Sequence, residues 1–372
     1  MLTNSSEKLL TDINQNIFYR EFTFDRNDFY TMAGNKVELA DNVIWLEDWM
    51  ILIQLKERNA DEAKVSQVKW FENKVLKKAK QQIKQGLRLL NSEEQVNVTN
   101  SLGQTFNLRT ADIRNIHNLI IYHLNEDPHP DVASVKMYNC TDGTFVHIIG
   151  SIDYKYLCHF LMTPAEMNQY LEFRKRLLSQ LIDKRVPEQY IFVHFMQCPD
   201  CLDFQPELLT TFTDLCQHLD DENSKISMQS FIAHLGSTLK VDDSNYRIIV
   251  RELAKMDRSE IETFKERLLA VLESEPKALP FTLKRFASRR TDTGYVLMKL
   301  RKDLELDWKN ALQNLTLQFK YKHRLSRCLG VIVMHTDADH MIDLNWAYTE
   351  GPWVYDQVLD DLCRQEQEIT CK

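Results

Sequence analysis

The stretch from Ala40 to Arg58, ADNVIWLEDWMILIQLKER, constrains the fold of this chain more than any other. Apolar and aromatic residues crowd both sides of the acidic pair Glu47-Asp48, a pattern that reads as two strands joined by a tight turn. The spacing predicts a first strand over Asn42–Leu46, opened by Asp41, and a second over Trp49–Lys56. Side chains alternate across a strand, so Ile51, Ile53 and Leu55 share one side while Leu52, Gln54 and Lys56 share the other. A glutamine and a lysine that end an apolar strand need a polar partner. Asp41, on the neighbouring strand, is placed to supply it.

Such a trio can assist hydrolysis of a phosphodiester with a metal. Asp41 offers carboxylate oxygen to a hard divalent cation, Mg2+ or Mn2+, and the backbone carbonyl of Leu55 adds a second ligand. Gln54 is neutral, but its amide oxygen can reach the ion or its water. The ion acidifies a bound water and neutralises charge on the phosphate. Lys56 is placed to orient that water or to stabilise the transition state.

At these residues the chain resembles the PD-(D/E)xK nuclease superfamily. Asp41 matches the motif's aspartate and Gln54-Leu55-Lys56 its final (D/E)xK. Glutamine replaces the acid, as in the QxK variant of Mrr-type restriction endonucleases, although here Glu57 stands before Arg58. The superfamily core runs helix, three-stranded meander, helix, strand, and the sequence offers that order. A helix is expected from Ser5 or Ser6 to about Ile17. A strand follows over Phe18–Phe24, with turns at Asp25–Asp28 and Gly34-Asn35. After the two strands above comes a long helix over Ala63–Leu90, with Val68, Phe71, Val75, Ala79, Ile83, Leu87 and Leu90 on one face. Ile116–Leu124 reads as a buried fourth strand.

The resemblance implies an α/β fold with a restriction-endonuclease-like αβββαβ core. It implies a Mg2+- or Mn2+-dependent endonuclease with catalytic Asp41, Gln54 and Lys56, metal ligands Asp41, Gln54 and Leu55, and Glu7 as an extra acid on the first helix. It also implies nucleic acid as substrate, DNA ahead of RNA, and a role in prokaryotic defence against foreign DNA. A homo-oligomer, or membership of a multi-protein defence complex, goes with that role. The alternative is a catalytically inactive nuclease fold used for docking or assembly, which the neutral Gln54 favours. A third reading is a purely structural subunit whose aromatic C-terminal surface is covered by a partner.

A net charge of −8 weighs against a nucleic-acid partner until its distribution is considered. From Lys64 to Arg88 eight basic residues meet one acid, Glu72, and Lys284 to Arg327 is a second basic region. Lys74, Lys77, Lys78, Lys84 and Arg88 are the candidate phosphate contacts, opposite the apolar helix face. No run of about 18 apolar residues predicts a membrane span. The start of the chain lacks a signal-peptide pattern, so a cytoplasmic protein with free thiols is expected.

The sequence divides into three parts: a nuclease-like domain over 1–185, a mainly helical middle over 186–275, and an α/β C-terminal module over 276–372 for sensing or assembly. Helices are expected at Asp153–Leu161 and from Pro164, with Thr163 as N-cap, to about Asp183. Tyr190–Met196 reads as a strand or buried segment. Cys198 and Cys201 form a CxxC without a partner pair; with His194, Cys216 and His218 nearby, ordinary loop cysteines are preferred to a zinc site. Further helices are expected at Leu208–Leu219, Met228–Leu235, Ser244–Met256 and Ser259–Leu272, the last with Ser259 opening a capping box. Asp337, Asp339 and His340 read as a hairpin turn, and Trp346, Tyr348, Trp353 and Tyr355 as packing residues. No Walker-type GxxxxGK(S/T) loop, GxSxG elbow or HExxH occurs.

Overall fold

The computed structural model of the chain describes residues 5–25, 27–30, 36–59, 62, 64–93, 95–181, 185–225, 228, 230–231, 244–274, 281–301, 304, 307–335 and 342–370. It has a mixed α/β architecture in two compact units, Met1–Gln229 and Ser230–Lys372. The sequence places divisions near 185 and 275; by compactness the helices after 185 fall in one unit or the other.

The first unit opens with α1 (Ser5–Ile17) and a short helical turn, α2 (Tyr19–Phe22), before β1 (Thr23–Phe24). The strand expected over Phe18–Phe24 is therefore mostly helical. Phe18 and Phe22, four apart, suit a helical turn as well as their aromatic–polar alternation suits a strand, and both are buried. A small hairpin, β2 (Asp28–Tyr30) with β3 (Lys36–Glu38), follows, and the expected turn at Gly34-Asn35 lies outside the described residues.

Next come β4 (Asn42–Leu46) and β5 (Trp49–Glu57), antiparallel, with Leu46 paired to Trp49. Glu47 takes φ 53°, the left-handed conformation that a two-residue hairpin turn requires. A helical rod then runs through α3 (Gln67–Phe71), a π-helical segment (Glu72–Ala79) and α4 (Lys80–Ser92). The hairpin β6 (Gln95–Thr99) with β7 (Thr105–Arg109) leads to β8 (Asn115–His123), short α5 (Pro130–Ala133), β9 (Met137–Asn139) and β10 (Phe145–Gly150).

Six strands form one sheet in the order β1-β4-β5-β8-β10-β9. β1 pairs antiparallel with β4 and β4 with β5; β5, β8 and β10 are mutually parallel, and β9 runs antiparallel to β10. Burial on both faces explains the unbroken apolar runs of β5 and β8. On one face Trp70, Phe71, Val75, Ala79 and Ile83 of the rod pack against Ile120, Val146 and Ile148. Met50 and Leu52 join Leu90, Val96, Val98 and Leu108 in an adjoining cluster. Gly86 lets α4 approach the chain before β4 closely; a Cβ there would lie 2.4 Å from the Leu39 carbonyl oxygen.

α6 (Ser151–Phe160), α7 (Pro164–Gln180), α8 (Glu188–Gln197) and α9 (Phe212–Lys225) complete the unit. Thr163 caps α7 as expected, accepting from the Glu166 amide at 3.1 Å. Tyr190–Met196 is helical, not extended. Short apolar runs do not distinguish a buried helix from a buried strand, and α8 is buried through Tyr190–Phe195.

The second unit contains α10 (Ser244–Ala254), α11 (Arg258–Leu272), β11 (Phe281–Ser288), β12 (Thr293–Leu300), α12 (Trp308–Lys322), β13 (Arg327–His335), β14 (Ile342–Glu350) and α13 (Gln357–Thr370). Its sheet has the order β11-β12-β13-β14, with only β12 and β13 parallel. Leu312 and Phe319 of α12 pack on Val296, Met298 and Ile332. The capping box of α11 is formed by Asp257 and Glu260, so the cap sits two residues before the Ser259 expected from sequence.

Candidate functional site

The turn at Glu47-Asp48 fixes the register that brings Asp41 beside Leu55. Asn42 pairs with Ile53, so the residue before β4 meets the carboxyl end of β5. There the Leu55 amide donates to Asp41 Oδ2 at 2.6 Å. Lys56 Nζ donates to the same oxygen at 3.3 Å, to Gln54 Oε1 at 3.3 Å and to the Leu55 carbonyl at 2.7 Å. Three oxygens thus surround one point, and the Lys56 ammonium fills it. The pair is sheltered, with side-chain exposures of 12% for Lys56 and 17% for Asp41.

Donor chemistry suits a hard cation: one carboxylate, one amide oxygen and one backbone carbonyl. The distances are those of an ammonium. For Mg2+, which binds oxygen at about 2.1 Å, the oxygens would close in by roughly 0.6–1.2 Å. The position is also chemically apt, because open parallel sheets bind ligands beyond the carboxyl ends of their strands. The neighbouring strand ends are tied down: the Arg58 amide donates to the His123 carbonyl at 3.0 Å and Asn125 Nδ2 to the Arg58 carbonyl at 3.2 Å. The Arg58 guanidinium pairs with Glu126.

Gln54 also lines an open cleft of about 600 Å³ together with Gln82, Gln85, Arg88 and Glu38. Gln82 Oε1, buried there, has no hydrogen-bond partner among the described residues. Of the five basic residues expected to contact phosphate, Arg88 alone is at this cleft. Lys74 is engaged by Glu62 at 2.5 Å, Lys84 lies 3.9 Å from Asp142, and Lys77 and Lys78 are exposed. The π-helical segment carries Lys74, Lys77 and Lys78, and its wider winding breaks the register that a continuous α-helix would give them with Lys84 and Arg88. Glu7 belongs to α1, and its side chain falls outside the described residues.

Behind β4 a buried amide chain joins three elements. Tyr154 donates to Asn14 Oδ1 at 2.6 Å and Asn14 Nδ2 to Asn42 Oδ1 at 2.9 Å. Sequence reasoning missed these residues, since nothing local marks a buried asparagine on an amphipathic helix. It also missed Arg174 of α7, wholly buried. Arg174 donates to both carboxylate oxygens of Glu188, at 2.7 and 3.0 Å, and to the Ile148 carbonyl at 3.0 Å, and it lies 3.2 Å from His147 Nδ1. Burial raises the Glu188 carboxyl, but Arg174 and the Tyr170 hydroxyl more than reverse this and hold it below its ordinary value. Burial, reinforced by the Arg174 charge, pushes His147 well below the usual imidazole range.

A second cleft, of about 240 Å³, lies at the amino ends of β8 and β10 and is lined by His117, Asn118, His147 and Lys175. Burial also lowers the His117 imidazole, which is 2.8 Å from Asn168 Oδ1.

The other sequence candidates gather no site. Among the described residues no three His, Cys, Asp or Glu side chains cluster as metal ligands. Cys201 Sγ accepts from Gln205 Nε2 at 3.2 Å, and both His194 nitrogens are buried without a hydrogen-bond partner among the described residues. Asp337, Asp339 and His340 lie outside the described residues. Trp353 packs on Tyr321, and the Tyr348 hydroxyl accepts from Arg251 at 3.2 Å, whereas Tyr355 is exposed. No helix among the described residues is long and apolar enough to cross a membrane. Compared with known proteins, the chain matches no family model, no curated protein and no solved structure.

Proposed function

We propose that the chain is a divalent-metal-dependent phosphodiester hydrolase of PD-(D/E)xK type, acting on nucleic acid with DNA ahead of RNA. The observation that carries this reading is the convergence of Asp41 Oδ2, Gln54 Oε1 and the Leu55 carbonyl at the carboxyl end of β5. The strand arrangement supports it as well. α1 precedes antiparallel β1, β4 and β5; the helical rod then leads to β8, parallel to β5. That is the element order the resemblance implies, with a short hairpin inserted before β4 and another before β8.

In this reading Asp41, Gln54 and Leu55 hold Mg2+ or Mn2+. The bound ion supplies charge neutralisation at the phosphate and a more acidic water. Lys56 then donates hydrogen bonds to the water or to a phosphate oxygen. Arg88, which lines the cleft with Gln54, meets the nucleic-acid backbone. A defence role and a homo-oligomer follow from the resemblance and stand with it.

One observation favours the inactive docking fold instead: the Lys56 ammonium neutralises the only carboxylate of the trio. Cleavage of plasmid DNA, single-stranded DNA and RNA with Mg2+ or Mn2+ separates the two. Wild type should cut at least one substrate, and Asp41→Ala and Lys56→Ala should not while keeping their circular dichroism. No cutting and no metal binding by wild type supports the docking fold. Cutting that survives both substitutions places the chemistry elsewhere.

A further inference from the structure

We propose that Lys56 is a built-in competitor for the divalent cation: its ammonium occupies the ion's position, and binding of the ion expels it toward the cleft lined by Gln54. The proposal rests on reading Asp41, Gln54 and Leu55 as the cation ligands. Its geometric basis is that the three oxygens assigned to the ion are the three that Lys56 Nζ contacts, at 3.3, 3.3 and 2.7 Å. An ammonium and a divalent ion cannot share these oxygens. Both need the same lone pairs, and their charges repel at close range.

The competition is weighted toward the lysine. The trio carries a single formal negative charge, because Gln54 is neutral and the Leu55 oxygen belongs to the backbone. Divalent-ion affinity depends on the number of charged ligands, so this oxygen set holds an ion weakly, whereas one negative charge matches one ammonium. Lys56 is, moreover, largely withdrawn from solvent, and its nearest acceptor is the carbonyl of the adjacent residue.

The consequence is coupling. A cation entering the trio frees the ammonium, and the free ammonium stands next to a cleft that Gln54, Gln82, Gln85 and Arg88 line. Lys56 is thereby presented to an anionic ligand only when the ion is in place. Metal-free chain keeps its lysine paired with Asp41, which leaves neither group ready for chemistry.

Two measurements on the full chain test this. Mn2+ is titrated by electron paramagnetic resonance into wild type, Lys56→Met and Asp41→Asn. Separately, reductive methylation of Lys56 in wild type is followed by mass spectrometry with and without Mn2+. The expected results are Mn2+ binding about tenfold or more tighter in Lys56→Met than in wild type, and faster methylation of Lys56 when Mn2+ is bound. Equal Mn2+ affinity in wild type and Lys56→Met overturns the competitor role and leaves the metal site standing. Tighter binding with an unchanged methylation rate also overturns it, since loss of charge without displacement explains that pair. Absence of Mn2+ binding in both proteins overturns the competitor and the metal reading together. The methylation arm needs no variant, so a Lys56→Met chain that fails to fold does not shield the proposal.

Discussion

Replacing Arg174 by Met should be among the most damaging single changes in the first unit. The guanidinium is fully buried and makes two hydrogen bonds to Glu188 and one to the Ile148 carbonyl, and it lies within reach of His147. Methionine fills much of the volume but leaves the Glu188 carboxylate, 2% exposed, with the Tyr170 hydroxyl as its remaining hydrogen-bond partner among the described residues. Removing one member of a buried ion pair costs about 3–5 kcal/mol, and the lost bond to β10 places the expected cost near the middle, about 4 kcal/mol. Adding Glu188→Gln removes the stranded charge and keeps an acceptor for Tyr170, so the double variant should recover about 2 kcal/mol. The sign of the pH dependence follows. In wild type the carboxyl is held low, so its contribution is present above the ordinary carboxyl range and is lost only as pH falls through its lower folded value. In Arg174→Met the largest opposing influence is gone, so burial, countered only by Lys136 and Tyr170, raises that carboxyl relative to wild type, and the deficit shrinks as the pH is lowered from 8 to 5. Urea unfolding of the full chain, followed by hydrogen exchange in peptides of α7 and β10, isolates this unit from residues 230–372. A single-variant cost below about 1 kcal/mol, the level of a surface pair, or a double variant no more stable than the single, would refute the reasoning.

Three further outcomes are expected. Gln54→Glu adds a second charge to the oxygen trio and should tighten Mn2+ binding about tenfold in a direct titration; unchanged binding would remove Gln54 from the ligand set. His147 and His117 are buried with lowered pKa, so below about pH 6.5 the unfolded chain takes up protons the folded chain refuses. Stability should therefore fall by about 1.4 kcal/mol per pH unit for each histidine, and an acid limb absent from His147→Phe and wild type alike would contradict it. Gly86→Ala forces a methyl to within 2.4 Å of the Leu39 backbone oxygen, which cannot swing aside. It should cost about 2–3 kcal/mol in denaturant unfolding, against the small gain alanine brings to an open helix.

The parts of this fold legible in the sequence are those set by short-range pattern. The β4–β5 hairpin follows from two apolar runs and a two-residue break, and its register alone carries Asp41 to Leu55 and Lys56. α1, α7 and β8 were legible for the same reason, through caps and periodicity. Where burial is two-sided the pattern loses its meaning: Tyr190–Met196 is apolar but for His194 and could be packed either way, and it forms a helix. Phe18–Phe24 satisfied two periods at once, and the local backbone, with Tyr19 at φ 60°, decided between them. The π-helical winding at Glu72–Ala79 leaves no mark in composition, yet it sets which basic residues share a face. Long-range polar partners were invisible: an arginine on a helix reads as solvated, and only the packing of α7, α8 and β10 makes Arg174 a core residue. Likewise Gln82 and Gln85 become neighbours of Gln54 only once the helical rod lies on the sheet.

The proposed role of Asp41 as a ligand of a catalytic cation is tested most directly by the rate of DNA cleavage in Mn2+ by wild type and by Asp41→Asn. Asparagine has the same shape and still offers an oxygen to the Leu55 amide, so the hairpin is kept while the charge that holds the ion is lost. Wild type should cleave, and the variant should lose about 100-fold or more in rate at an unchanged unfolding midpoint. Equal rates from the two proteins, or cleavage by neither on any nucleic acid, would contradict that role.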